Sequence, residues 1–109
     1  MKILAIIPAY NEALNIKNTI EKLKIDAPQI DYVIINDCSK DTTLTILEEN
    51  SFNYINLPVN LGIGGGVQTG YKYGVENGYD IIIQQDGDGR MEVFHSQREE
   101  RKDRGKHNR

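Results

Sequence analysis

The sequence predicts an α/β fold in three layers: helices on both faces of a four-stranded parallel sheet whose strands run in the order 3-2-1-4. Three observations predict it. From residue 2 to residue 89, short continuous apolar runs alternate with amphipathic stretches. Unbroken apolar runs, rather than alternating ones, mark strands buried on both faces. The resulting order βαβαβαβ supplies a crossover helix between successive parallel strands. Finally, the segment after each strand is rich in amides, carboxylates or glycines, at the edge where an open parallel sheet binds ligands.

Lys2 to Ile7 is a dry run halted by Pro8 and reads as the first strand. Asn11 is placed to cap a helix running to about Lys24, with Ile16, Ile20 and Leu23 on one stripe and Glu12 in its first turn. Tyr32 to Ile35 is a second dry strand. Ser39 or Asp41 then caps a helix through about Glu49 that carries Leu44 and Leu47 inward. Tyr54 to Leu57, ended by Pro58, is a shorter third strand. A glycine-rich loop follows from Asn60 to Gly66. After it a third helix reaches Asn77, with Val67, Tyr71 and Val75 at i, i+4 and i+8 as its inward stripe and Gly78 at its C-terminal end. Asp80 to Gln85 is the fourth strand.

Composition narrows the class. With 109 residues, 39% hydrophobic and 27% charged, the chain has the size of one globular domain. Cys38 is the single cysteine, which excludes an internal disulfide and a cysteine zinc cluster and fits a reducing, cytoplasmic setting. The N-terminal apolar run is too short for a secretory signal or a membrane span. The net charge of −3 divides unevenly. Residues 1–89 hold six lysines against twelve acids, whereas residues 90–109 hold seven basic residues against four acids, together with both histidines. That change predicts a charged, disordered tail from residue 90, outside the core. Its mixed signs and lack of interleaved aromatics do not describe a nucleic-acid-binding segment.

Asp86-Gly87-Asp88 carries the most chemistry. Two carboxylates one residue apart share a face in extended chain. Hard oxygen ligands of this kind suit Mg²⁺ or Mn²⁺, which one or two carboxylates hold together with substrate phosphates. Asp-Gly is also an ordinary turn signal, so the tetrapeptide alone leaves both readings open. The same holds for other positions. Asp37 accepts hydrogen bonds only and matches a ligand edge that donates them, or it caps a nearby turn. Glu12 either meets a ligand or complements a helix dipole. Tyr10 stacks on a base or is a surface aromatic. The glycines from Gly62 to Gly66 allow close approach to a ligand at a helix N-terminus, or form a plain loop. Cys38 reads as a small buried residue.

Four segments in order, Ile6 to Glu12, Ile35 to Thr42, Asn60-Leu61-Gly62 with its glycine run, and Gln85 to Gly89, resemble the family 2 glycosyltransferases. The resemblance covers residues 1–89. It implies a Rossmann-like, glycosyltransferase A-type domain that binds a nucleotide-diphosphate sugar, UDP- or GDP-linked, with a divalent metal bridging diphosphate and protein. Carried over, Pro8, Ala9, Tyr10 and Glu12 line the base and ribose pocket, and Asp37 accepts from the base edge. Gly65, Gly66 and Gln68 join the donor site, with Asp86 and Gly87. Asp86 and Asp88 hold the metal, Asp88 more directly. The resemblance implies transfer of the sugar to a polysaccharide, a lipid phosphate or a similar acceptor in cell-envelope biosynthesis.

The departures also predict something. Family members commonly continue from Asp-Gly-Asp-Gly into Gln-His-Asp-Pro and a hundred or more further residues, which supply the acceptor pocket and the base. Here Arg90-Met91-Glu92 follows instead. The expectation is a truncated chain that binds donor weakly, transfers it inefficiently and self-associates through an exposed fourth-strand edge. No catalytic base is assigned. The alternative is a non-catalytic nucleotide-binding fragment or regulatory module. A dinucleotide-binding domain would need G-x-G-x-x-G after the first strand, and a phosphate-loop enzyme would need Gly-Lys-Ser/Thr after the glycines; the chain has neither.

Overall fold

The computed structural model describes residues 1–85 and the backbone of residues 91–95. Its elements are β1 (Ile3–Ala9), α1 (Ile16–Asp26), β2 (Asp31–Asn36), α2 (Thr43–Glu49), β3 (Tyr54–Asn56), α3 (Gly62–Glu76), β4 (Ile81–Gln85) and β5 (Met91–His95). The sheet order is β3-β2-β1-β4-β5. The pairs β1–β2, β1–β4 and β2–β3 are parallel, as the continuous apolar runs require.

Successive strand residues point to opposite layers, and the core divides accordingly. Ala5, Ile7, Ala9 and Ile34 pack with Ile16, Ile20 and Leu23 of α1 and Leu47 of α2. Leu4, Ile6, Val33, Ile35 and Ile82 form the core on the other face, where α3 lies. The inward face of α3 is not the Val67, Tyr71, Val75 stripe. Gly66, Gly70 and Gly74 are its buried residues, and those larger side chains flank them half-buried. A Cβ at Gly70 would come within 2.5 Å of Ile6 Cγ2, and one at Gly74 within 2.6 Å of Ile82 Cδ1. The glycines therefore let the helix backbone rest directly on sheet side chains. Hydropathy periodicity is blind to such a face, because glycine carries no apolar side chain to count.

Several boundaries differ from expectation for local reasons. Pro8 does not stop β1, which continues to Ala9. The Ala9 carbonyl accepts the Asp37 N–H from the β2 side, so the position of the missing Pro8 N–H faces the β4 side. There the β1–β4 pairing ends at Ile6, and no ladder bond is lost. The first helix begins at Ile16, not after Asn11, because residues 11–15 form a separate turn. The glycine run is helical rather than a loop: α3 starts at Gly62, and Gly64, Gly65 and Gly66 lie within it. Gly78, at φ +80°, takes the left-handed position just past the end of α3, as expected of a helix-terminating glycine.

The largest correction concerns the C-terminal segment. Met91–His95 pairs antiparallel with all of β4, from Ile81↔His95 to Gln85↔Met91. The fold thus extends beyond residue 89, and β4 is not the open edge on which self-association was expected. The charged residues that follow it concealed the strand, although Met91, Val93 and Phe94 are apolar. The remainder of the expected tail, residues 96–109, lies outside the described residues.

Candidate functional site

The chain places β2 and β3 on one side of β1 and then returns to place β4 on the other. That reversal makes the carboxyl ends of β1 and β4 a switch point, where open parallel sheets bind ligands. Three of the four motif segments converge on this edge. Asp86, Gly87 and Asp88 follow Gln85 in sequence but lie outside the described residues.

After β1, Tyr10 is exposed and Asn11 takes φ +53°, a left-handed conformation that asparagine tolerates. The Asn11 N–H donates to Ser39 Oγ (3.0 Å), and Asn11 Oδ1 accepts the Lys40 N–H (2.8 Å). The Glu12 N–H donates to Thr43 Oγ1 (3.0 Å), while the Glu12 carbonyl accepts from Asn15 and Ile16 at the start of α1. The β1–α1 turn is thereby stitched to the β2–α2 turn by main-chain groups paired with side chains.

After β2, Asn36 is 1% exposed. Its Nδ2 donates to Asn56 Oδ1 at the end of β3 (2.8 Å), and its Oδ1 accepts from the Ser39 hydroxyl. Asp37 is buried too, and both of its oxygens are engaged. Oδ1 accepts the Leu61 N–H at 2.7 Å and Oδ2 the Gly62 N–H at 2.9 Å. Asn60 completes that turn: its Nδ2 donates to the Asp37 carbonyl (3.3 Å) and its Oδ1 accepts from Gly62 (3.1 Å). Gly62, at φ +77°, supplies the left-handed residue the turn requires. Cys38 is half-buried, at φ +57°, with Sγ 3.6 Å from the Pro58 carbonyl.

Asp41 accepts from the Thr43 N–H (2.9 Å) and hydroxyl and from the Ala13 N–H (3.3 Å). The Thr43 hydroxyl bond holds its carboxyl below the usual value, against an opposing desolvation effect. Neither Ser39 nor Asp41 is the N-cap of α2: that position is Thr42, and Asp41, one residue before it, accepts the Thr43 N–H at the start of the helix. Asp37 caps α3 instead of the turn beside Ser39.

Of the expected donor residues, Pro8, Ala9, Tyr10, Glu12 and Asp37 come together at this edge. Ala9 is buried and contributes its carbonyl. Gly65 lies beneath Leu61 in the first turns of α3, and Gln68 is exposed one turn further on. Gly66 faces Ile35 in the helix–sheet contact, so its place in the structure is one of packing. Residue reasoning missed the polar web that aligns the edge: Asn11, Asn36, Ser39, Thr43, Asn56 and Asn60. Its signal was the asparagines ending β2 and β3, which the register sets side by side.

Among the described residues, no three His, Cys, Asp or Glu side chains cluster to hold a metal ion. Asp37 and Asp41 already spend their oxygens on main-chain and hydroxyl donors. A metal shared with phosphates needs only one or two carboxylates, and Asp86 and Asp88 have the donor chemistry for it. A cavity of about 490 Å³ opens at the opposite, amino-terminal edge. Its polar groups are already paired: the Tyr79 hydroxyl with Asp31 (2.6 Å), Asn53 with the Tyr32 carbonyl (2.9 Å), and Lys24 over the Tyr32 and Phe52 rings. No described helix is long and apolar enough to cross a membrane.

The strand order 3-2-1-4 of the parallel strands, with helices on both faces, defines a Rossmann-like fold of the glycosyltransferase A type. The chain belongs to glycosyl transferase family 2, whose profile matches residues 4–97. That match includes β5 and so extends beyond the motifs. The chain is 32% identical over 94 residues to the undecaprenyl-phosphate mannosyltransferase of Micrococcus luteus, covering 82% of this chain and 39% of that one. It is 36% identical over 104 residues to the UDP-N-acetylglucosamine–dolichyl-phosphate N-acetylglucosaminyltransferase of Methanococcus voltae, covering 80% and 41%. The chain thus spans about two fifths of the length of these relatives. The mannosyltransferase of Pyrobaculum calidifontis, solved with GDP-Man and Mn²⁺, superposes with a TM-score of 0.70 at 16% identity, over 80% of this chain and 27% of that one. TarS of S. aureus in complex with UDP gives 0.63 at 26% identity, over 81% and 28%.

Proposed function

We propose that this chain forms the donor-binding part of a metal-assisted glycosyltransferase. It grips a nucleotide-diphosphate sugar, UDP- or GDP-linked, at the carboxyl edge of the sheet. The observation that carries the reading is the convergence of the segments after β1, β2 and β3 on one edge, cross-linked by the Asn11, Ser39 and Asp37 hydrogen bonds. Family membership supports it.

In this reading Pro8, Ala9, Tyr10 and Glu12 border the base and ribose, with exposed Tyr10 supplying the stacking surface. Gly65 and Gln68 in the first turns of α3 lie beside the donor. Asp86 and Gly87 meet it from the β4 side, and Asp86 and Asp88 hold Mg²⁺ or Mn²⁺. The bound ion would neutralise diphosphate charge and ease departure of the nucleotide. The chain's own residues orient the donor and fix the loops around it, so that little ordering remains to be done on binding. A lipid-phosphate acceptor is favoured over a polysaccharide, because the two relatives described above are named for polyprenyl phosphates.

Calorimetric titration with UDP-, GDP- and CDP-linked ligands, with and without Mn²⁺, tests the reading. Binding should tighten when the ion is added. Asp88→Asn should abolish most of that gain while the far-ultraviolet spectrum stays unchanged. An Asp88→Asn protein that responds to Mn²⁺ as the parent does would remove Asp88 from the metal site. Absence of nucleotide binding in any metal condition would overturn the donor reading.

A further inference from the structure

We infer that Gln85 is a further donor-binding residue: its side-chain carbonyl accepts a hydrogen bond from a sugar hydroxyl of the bound nucleotide sugar. The inference rests on the donor-edge reading above. Among the described residues, Gln85 Oε1 is the one buried side-chain oxygen or nitrogen without a hydrogen-bond partner. Gln85 is the last residue of β4, at the switch-point edge and directly before Asp86. The polar web that ties the other strand ends together does not reach it.

An apolar residue would serve the fold better at this position. Ala5 pairs with Ile83, and side chains alternate along a strand. Ile81, Ile83 and Gln85 therefore share the face that carries Ala5 and Ile7, which belong to the apolar core under α1. An amide carbonyl that has left water there and found no donor costs stability. Local conflicts of this kind with the fold concentrate at functional sites.

The chemistry of the donor names the group that completes the amide. Oε1 accepts and cannot donate, so its partner carries an O–H or N–H. In the donor-edge reading the base is bordered by the segment after β1, whereas the diphosphate and its metal lie at Asp86 and Asp88. Gln85 thus meets the donor beside the diphosphate. The ionised phosphates have no proton to give, which leaves the hydroxyls of the two groups that flank them, the pentose and the transferred sugar. A neutral amide takes such a bond without adding a third negative charge beside Asp86, Asp88 and the phosphates.

Gln85→Met keeps the length of the side chain and removes the acceptor. Urea unfolding of the full chain and this variant, and calorimetric titration of both with UDP, UDP-glucose, GDP and GDP-mannose in Mn²⁺, test the inference. The unliganded variant should unfold at a higher urea concentration, because an unmet buried acceptor has been replaced by an apolar group. Its affinity for the nucleotide sugar that the parent binds should fall roughly three- to tenfold, the scale of one hydrogen bond. An equal fall for the free nucleoside diphosphate assigns the bond to a pentose hydroxyl, and a fall confined to the nucleotide sugar assigns it to the transferred sugar. Unchanged affinity in a parent that binds, or a lowered unfolding midpoint, overturns the inference and leaves Gln85 to the fold. A parent that binds no nucleotide overturns the donor reading itself, and the inference falls with it.

Discussion

At the scale of single residues, the glycines of α3 separate into two kinds that the sequence does not distinguish. Gly70 faces Ile6, where an added Cβ would come within 2.5 Å of Cγ2 and 2.9 Å of Cγ1. Those atoms lie next to the β1 backbone and have no free end to swing away. Gly74 meets the terminal Cδ1 of Ile82 at 2.6 Å, a contact that a rotamer change relieves more cheaply. Gly64 has nothing within 4 Å and a negative φ. Gly70→Ala should therefore destabilise by about 1–3 kcal/mol despite alanine's better helix propensity. Gly74→Ala should cost less, and Gly64→Ala should stabilise by about 0.4–1 kcal/mol. Urea unfolding of the three variants checks the order, and a stabilised Gly70→Ala would show that the helix does not rest on Ile6.

At the scale of elements, α2 depends on its first turn. It has seven residues, too few to form alone, so Asp41 and buried Thr43 do much to define its start. The Asp41 carboxyl is held below its ordinary value of 3.8 chiefly by the Thr43 hydroxyl. A depressed carboxylate contributes stability that is present above its unfolded pKa and lost as the pH falls through the folded one. The stability difference between the parent and Asp41→Asn should be constant near neutrality and close as the pH drops below the carboxylate range. Unfolding midpoints followed from pH 7 to pH 2 measure this; a difference independent of pH would assign the cap to geometry alone. The same bonds reach Glu12 and Ala13, so a loosened α2 should also loosen the turn before α1.

At the scale of the whole molecule, the sheet protects its interior strand by pairing it. β5 covers the full length of β4, leaving β5 and the three-residue β3 as the outer strands among the described residues. A short edge strand offers few free N–H and C=O groups to another chain. A chain ending at Arg90 would instead expose β4, whose Ile81-Ile82-Ile83 run is well suited to pairing with a second copy. Sedimentation velocity should show concentration-dependent association of that shortened chain well above that of the full one. Equal behaviour of the two would mean that β5 does not shield β4.

The local chemistry of the chain determined most of the architecture. Dry runs, turn residues and helical stripes are properties of neighbouring residues, so the strand order 3-2-1-4 and the inward face of α1 could be read directly. The motifs likewise identified the segments that form the carboxyl edge of the sheet. Tertiary structure decided what depends on partners far along the chain. Asp37 finds its donors 24 and 25 residues away, at Leu61 and Gly62. Gly70 becomes a contact surface only because Ile6 lies opposite it. Met91–His95 becomes a strand because β4 presents unpaired backbone groups alongside it. Pattern along the sequence records side-chain hydrophobicity, whereas these features rest on main-chain hydrogen bonds and on the absence of a side chain, and neither leaves a mark in it.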